Sequence, residues 1–187
     1  KTRVQLGDPF IDAGYGMSFL PDEAARAGPY LDVACLEFPE VRQLEFSFIE
    51  FLAASHSLPQ AQERLLRLGT LVAADLPGRL RAEACMARSR NEIASAVDLY
   101  RRVLELGGTD ADRRQLVGLL DQSGEFEAAL WASVPLIHGS GSQASLVMED
   151  IAGRWWASLG PWDQVRSVFR ALRARDPKTS ILLQLPP

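Results

Sequence analysis

Apolar residues along most of this chain recur at steps of three and four, the spacing that gathers them on one side of an α-helix. Glu40–Ala54 shows the pattern most clearly, with apolar positions at Val41, Leu44, Phe48, Ile49 and Leu52. Segments of the same kind follow as far as Arg175, and short turns separate them. The pattern therefore predicts an all-α chain.

The turns recur at a nearly constant interval. The turn positions are His56, Asn91, Gly124 and Gly160, and the last two are each followed two residues later by an aromatic residue. The small residues five positions after each turn are Ala61, Ala96, Ala129 and Val165, at steps of 35, 33 and 36 residues. A helix-turn-helix period in this range is typical of stacked helical hairpins.

Turn-forming residues set the expected divisions of the chain. Residues 1–20 carry several Gly and Pro residues, which predict an irregular segment. Residues 21–41 predict a degenerate first helical unit, which Gly28–Pro29 should break or kink. The hairpin array covers 42–179, and 180–187 are the start of a following helix or a tail. This last segment is apolar, whereas solenoids normally end in a polar helix, so we expect the array to continue further.

Three boundaries inside the array depend on single residues. The second helix of the first hairpin is predicted over Leu58–Ala74, with Pro77–Gly78 ending it. Thr109 or Asp110 should cap the start of a later helix, because short polar side chains accept hydrogen bonds from its first N–H groups. His138–Ser142 is the clearest predicted loop, since Gly and Ser dominate it.

Composition excludes several classes of function. The 187 residues are 47% apolar and 24% charged, enough for one domain with a buried core. A net charge of −4 disfavours a nucleic-acid binder, which usually has a basic face. No apolar run approaches the ~20 residues that span a bilayer, so we expect no direct membrane insertion by this segment. The chain begins at Lys1 and has no visible signal peptide, which does not exclude export.

Residues that could carry chemistry are few. His56 and His138 lie in predicted turns without neighbouring ligands at metal-binding spacing, so no metal site is predicted. The acidic pair Glu149–Asp150 diverges by about 100° on a helix and does not converge on one bond. Cys35 and Cys85 are expected to be small buried apolar residues, and their pairing stays open. We therefore predict no catalytic residues, no cofactor and no enzymatic activity.

The spacing of the turns resembles that of the tetratricopeptide repeat (TPR) family, whose units have ~34 residues. The positions that match its second helix and stop are Gly160, Trp162, Val165, Phe169, Leu172 and Pro177, with partial matches at Gly124, Phe126, Ala129, Ala96, Tyr100 and Val103. The family's Trp-Leu-Gly motif in the first helix is mostly absent. The resemblance implies a right-handed α-α superhelix, a solenoid of TPR-like hairpins, whose concave face is lined by the first helix of each hairpin.

The resemblance also implies a function for that face, which is to bind a peptide, helix or domain of another protein. The implied partner-binding residues are Arg81, Arg88, Arg114, Asp121, Arg154 and Trp155. The three residues Arg81, Arg88 and Arg114 would make the middle of the groove basic and suited to an acidic partner. Trp155 either packs on the next hairpin or is an exposed anchor. The carboxylate clamp of the family is disfavoured, because Cys85 and Gly118 stand where it needs Asn.

Three functions fit this interpretation. The first is a non-catalytic scaffold, a fragment of a longer bacterial array in a periplasmic envelope or exopolysaccharide-export assembly. The second is a small acidic TPR-like secretion chaperone in the cytoplasm. The third is a helical accessory domain of an enzyme whose catalytic part lies elsewhere.

Overall fold

A computed structural model of the chain describes residues 21–69, 75–140, 142–158 and 162–175. Every regular element in these ranges is an α-helix, which confirms the all-α prediction. The helices are α1 (Pro21–Glu37), α2 (Arg42–Ala54), α3 (Leu58–Arg67), α4 (Leu76–Ser89), α5 (Ile93–Glu105), α6 (Asp110–Gln122), α7 (Phe126–Ser140), α8 (Ser142–Ala157) and α9 (Trp162–Arg175). None of the helices in these ranges combines the length and the apolar character needed to cross a bilayer.

The chain divides into two compact units, Lys1–Asp112 and Arg113–Pro187, with the boundary inside α6. In the first unit α1 packs on α2, α2 packs on α3 and α4, and α4 also packs on α3 and α5. In the second unit α7 packs on α8, and both contact α9. Consecutive helices from α1 to α5, and from α7 to α9, thus pack together, as helical hairpins do.

Three hairpin turns share one hydrogen-bond pattern. His56, Asn91 and Gly124 have φ angles of 61°, 61° and 78°. The residue after each of them donates its N–H to the carbonyl five positions earlier, at 2.8–2.9 Å. This bond, together with the positive φ, is the Schellman ending of an α-helix. His56 and Asn91 therefore occupy the turn position that Gly124 fills in the later hairpin, as the alignment of turns predicted.

The small residues five positions after the turns are packing positions. Ala61, Ala96, Ala129 and Val165 each have 0% exposed surface. A side chain without bulk at these places lets the second helix of a hairpin lie close to its neighbours. The interval read from the sequence is therefore also an interval of buried positions.

The core of the first unit lies between α2, α3 and α4. Its fully or nearly fully buried side chains are Phe46, Phe48, Ile49, Leu52, Ala53, Ala61, Ala82 and Met86. Gly78, in the first turn of α4, faces this core. A Cβ atom there would lie 2.5 Å from Cδ2 of Phe46, so the absence of a side chain is what lets the phenyl ring pack against the α4 backbone.

The break predicted at Gly28–Pro29 does not occur, because α1 continues through both residues to Glu37. Gly28 is useful there, since a Cβ would lie 3.2 Å from the ring of Phe51 on α2. Packing on α2 thus offsets the hydrogen bond that Pro29 cannot donate.

Two boundaries in the array also differ from the prediction. Helix α3 ends at Arg67 and is followed by Gly69 with φ of 63°, so it is shorter than the predicted Leu58–Ala74. Pro77 and Gly78 belong to the first turn of α4 and do not end the preceding helix. Pro fits there because the N–H groups of a first turn have no partner within the helix, so the N–H that Pro lacks is not missed.

The predicted loop His138–Ser142 is wrong at four of its five positions. Helix α7 continues to Ser140 and α8 begins at Ser142, so His138 lies in a helix and not in a turn. Packing of α7 on α8 offsets the ~1 kcal/mol that a helical Gly139 costs. The predicted segments 1–20 and 180–187 lie outside the described residues.

Candidate partner-binding surface

Arg81 on α4 and Asp112 on α6 form a bidentate ion pair. Nε of Arg81 donates to Oδ1 of Asp112 at 2.6 Å, and Nη2 donates to Oδ2 at 2.9 Å. The carboxylate side chain is only 5% exposed and the guanidinium side chain 21%. This pair is shielded from water, which distinguishes it from the exposed ion pairs that contribute little to stability.

Asp112 also completes the start of α6. Its Oδ2 accepts the backbone N–H of Thr109 at 2.7 Å and the Thr109 hydroxyl at 2.9 Å, while its own N–H points to Oγ1 of Thr109 at 3.4 Å. This is a capping box with Asp at the position usually taken by Glu, and it confirms Thr109 as the cap. Burial acts to raise the pKa of Asp112, but the hydrogen bonds from Arg81 and Thr109 outweigh it and lower the pKa.

Glu50 on α2 lies near this ion pair. The residue is partly buried, and its Oε1 has no contact with solvent and no hydrogen-bond partner in the described part of the chain. Burial raises the pKa of Glu50 to about 7; Arg81 opposes this rise and Asp112 adds to it. The carboxyl group is therefore divided between its neutral and ionised forms near neutral pH.

The two cysteines are free thiols. Sγ of Cys85 lies 3.7 Å from the hydroxyl of Tyr100. Burial raises the pKa of Cys85 to about 12, and it also raises the pKa of Cys35 to about 12, with Glu45 adding to the effect there. Both thiols stay protonated at neutral pH, so neither is an activated nucleophile.

We call Glu50, Arg81, Cys85, Arg88 and Asp112 the inner row of the first unit. Arg88 is exposed near the end of α4. The row holds two acids and two arginines, so it is closer to neutral than the basic groove expected from the arginines alone. Arg81 in particular is neutralised by Asp112.

The second unit brings two other predicted residues together. Arg154 on α8 pairs with Asp121 on α6 at 2.7 Å and with Asp150, one turn earlier on α8, at 2.7 Å. Arg114 is partly buried on α6. Trp155 is only 8% exposed and belongs to the core, so it follows the packing alternative and offers little of its ring to a partner.

Sequence reasoning missed the ion-pair cluster around Arg64 on α3. Its guanidinium pairs with Glu45 on α2 at 2.9 Å and with Asp32 on α1. It also lies 4.2 Å from the centre of the Phe48 ring. The cluster connects three helices, and nothing in the local pattern marks Arg64. By contrast, the Thr-x-x-Asp spacing from Thr109 to Asp112 was a usable signal for the capping box.

A cavity of about 350 Å³ lies at the starts of α2 and α4. Its walls include Arg42 and Asp75, whose Nη1 and Oδ2 atoms are 3.2 Å apart. These two atoms do not meet hydrogen-bond geometry, so the contact is an ion pair by distance alone. No group of three or more His, Cys, Asp or Glu residues within the described ranges is placed to hold a metal ion.

No family model, curated protein or solved structure matches the chain.

Proposed function

We propose that this chain is a non-catalytic protein–protein interaction scaffold, a TPR-like array of hairpins that binds a partner segment along its first helices. The observation that carries the proposal is a repeated link between alternate helices. Arg81–Asp112 joins α4 to α6, and Arg154–Asp121 joins α6 to α8. Both links connect first helices of successive hairpins, which is the arrangement that an inner wall of first helices requires.

The turns and packing positions support the same proposal. The Schellman turns at His56, Asn91 and Gly124 recur at steps of 35 and 33 residues, close to the period of the family. In such arrays the packing residues face the neighbouring hairpin and leave the inner side chains for recognition. A right-handed superhelix is the arrangement we propose for these hairpins.

The chemistry of the partner follows from which arginines are exposed. Arg81 is already paired with Asp112, and this ion pair holds α4 against α6. Arg88 is exposed. The side chain of Arg154 is 48% exposed but already pairs with Asp121 and Asp150, and Arg114 is partly buried. We infer that Arg88 makes the main contact with carboxylates of an acidic partner segment, and that Arg114 and Arg154 contribute less. We keep the periplasmic envelope or exopolysaccharide-export assembly as the proposed setting.

The test is affinity capture with the chain as bait, using cell extract from its source, followed by titration of the captured partner. Arg88→Glu should weaken binding about 3–10-fold, because it replaces attraction by repulsion at an exposed contact. Arg102→Glu is the matched control, since Arg102 is also exposed but lies on α5, a second helix. Equal affinities for the two variants would refute binding along the first helices. Turnover of a captured small molecule would refute the non-catalytic proposal.

A further inference from the structure

Helix α1 carries a second apolar surface that nothing in the described chain covers. Tyr30, Val33 and Leu36 recur at three-residue steps and are 78%, 52% and 75% exposed. We call these three residues the outer face of α1. Phe38 and Val41, at 48% and 42% exposed, continue it toward the start of α2.

The opposite side of α1 is already packed. Leu31 and Cys35 lie against the core of the first unit, and Gly28 lies against Phe51. Helix α1 is therefore apolar on two sides, which is typical of a helix held between two neighbours. Contiguous exposed apolar residues rimmed by polar ones mark interaction sites.

The rim of the outer face is acidic. Glu37 and Glu40 are exposed beside Leu36 and Val41, and neither pairs with another described residue. Asp32, on the same helix, is 47% exposed and is paired with Arg64. A helix that docks here would therefore be attracted if basic side chains flanked its apolar side.

A second copy of the chain does not fit this rim. The described residues that we assign to the outer face and its rim are all apolar or acidic. A second copy of α1 docked here would therefore bring no basic side chain to Glu37 and Glu40, and would add its own acidic rim to theirs.

We propose that the outer face of α1 binds an amphipathic helix of a partner protein in which basic residues flank the apolar side. The apolar contact would come from Tyr30, Val33 and Leu36, and Glu37 and Glu40 would select for Lys or Arg. This site is separate from the inner row, so it stands whether or not an acidic partner binds there.

Two synthetic helical peptides test the proposal. Both carry the same leucine stripe over about four turns, one with lysines and one with glutamates at the flanking positions. Fluorescence polarisation of labelled peptide with the full chain, at about 0.15 M salt, gives the two affinities. The Lys peptide should bind at least tenfold more tightly than the Glu peptide.

Variants of the full chain locate the site. The double change Tyr30→Ser and Leu36→Ser should lower the affinity for the Lys peptide at least tenfold. Leu106→Ser is the matched control, because Leu106 is also an exposed apolar residue, at 49%, but lies at the end of α5. Both variants should keep the helical content of the wild type, since the changed side chains are exposed.

Four results would overturn the proposal. Equal binding of the two peptides would contradict the selection for basic side chains. Loss of binding in the Leu106→Ser variant would show that the peptide does not bind specifically to the outer face of α1. Tighter peptide binding after Phe10→Ser and Ile11→Ser would assign the face to the chain's own N-terminal segment. Sedimentation showing a dimer that Leu36→Ser dissociates would assign it to a second copy.

Discussion

Replacing Gly78 by Ala is the most direct test of how α4 packs on α2. The added Cβ would lie 2.5, 2.9 and 3.0 Å from Cδ2, Cε2 and Cγ of Phe46. Carbon atoms in ordinary contact are about 3.5–4.0 Å apart, so the closest approach is short by about 1 Å. Phe46 is only 1% exposed and cannot swing into solvent, so either the ring or the start of α4 must shift.

The expected magnitude is the difference of two terms. Overpacking a core costs about 1–3 kcal/mol, whereas Ala in place of Gly in a helix gains about 0.5–1 kcal/mol. Because the contact is about 1 Å too short and Phe46 is buried, we take the upper half of the overpacking range, about 2–3 kcal/mol, and expect the free energy of unfolding to fall by about 1–2.5 kcal/mol. For a chain of this size that corresponds to a drop in Tm of about 2–10 °C.

Urea unfolding followed by two signals provides the assay. Circular dichroism at 222 nm reports all the helices, whereas the four tryptophans all follow Arg113 and report the second unit. If the units unfold separately, Gly78→Ala should move the circular dichroism transition and leave the fluorescence transition unchanged. Coincident shifts would mean that the two units unfold together.

Two controls separate crowding from helix propensity. Gly118→Ala in α6 and Gly153→Ala in α8 place a Cβ where no atom outside the local helix lies within 4 Å, so each should stabilise by about 0.5–1 kcal/mol. Phe46→Leu by itself should destabilise by leaving a cavity in the core. Combined with Gly78→Ala it should cost less than the sum of the two single changes, because the smaller side chain relieves the contact. Stabilisation by Gly78→Ala equal to that of the controls would show that α4 does not approach Phe46 as described.

Four further predictions concern the inner row and the repeat. The wild type should lose stability as the pH rises from 4.5 through about 7, because burial favours the protonated carboxyl group of Glu50 in the folded state. Glu50→Gln should abolish this pH dependence, and thermal melts at pH 5 and 8 measure it. Asp112→Asn should destabilise by about 3 kcal/mol, because it leaves Arg81 without its buried partner, and unchanged urea midpoints would contradict the pair. Ala129→Phe should cost about 1–3 kcal/mol in the same assay by overpacking a fully buried position, and a neutral result would mean that the repeat alignment is wrong. His56→Gly should raise the unfolding free energy by about 1 kcal/mol, because Gly adopts a φ of 61° without strain; a lower Tm would contradict this.

The helices and the packing positions of the repeat could be predicted from the sequence. Ala61, Ala96 and Ala129 were recognised by their spacing alone and are fully buried. This succeeds because the period of 3.6 residues is a local property, and a small residue at a constant offset from a turn marks a close approach of two helices. The cap at Thr109 was predictable for the same reason, since its partners lie within three residues.

The local sequence pattern did not decide between alternatives at residues that could either pack against a neighbouring helix or stay exposed, or either continue or end a helix. Gly28–Pro29 predicted a break or a kink, and the break does not occur, because α2 supplies compensating contacts to α1. Trp155 had a packing and an exposed alternative, and its burial depends on which helices surround it. Propensity ranks such alternatives weakly, and tertiary contacts decide between them.

The sequence by itself determined that this protein is helical, that hairpin turns fall at His56, Asn91 and Gly124, and which small residues after the turns are buried, because each of these depends on neighbours within a few positions. Only the tertiary structure decided what the charged residues do. Arg81 finds Asp112 at a separation of 31 residues, and Arg64 finds Asp32 at 32. Such pairs form when separate hairpins come into contact, and a buried charge then loses its water and must be compensated by whichever charge lies opposite.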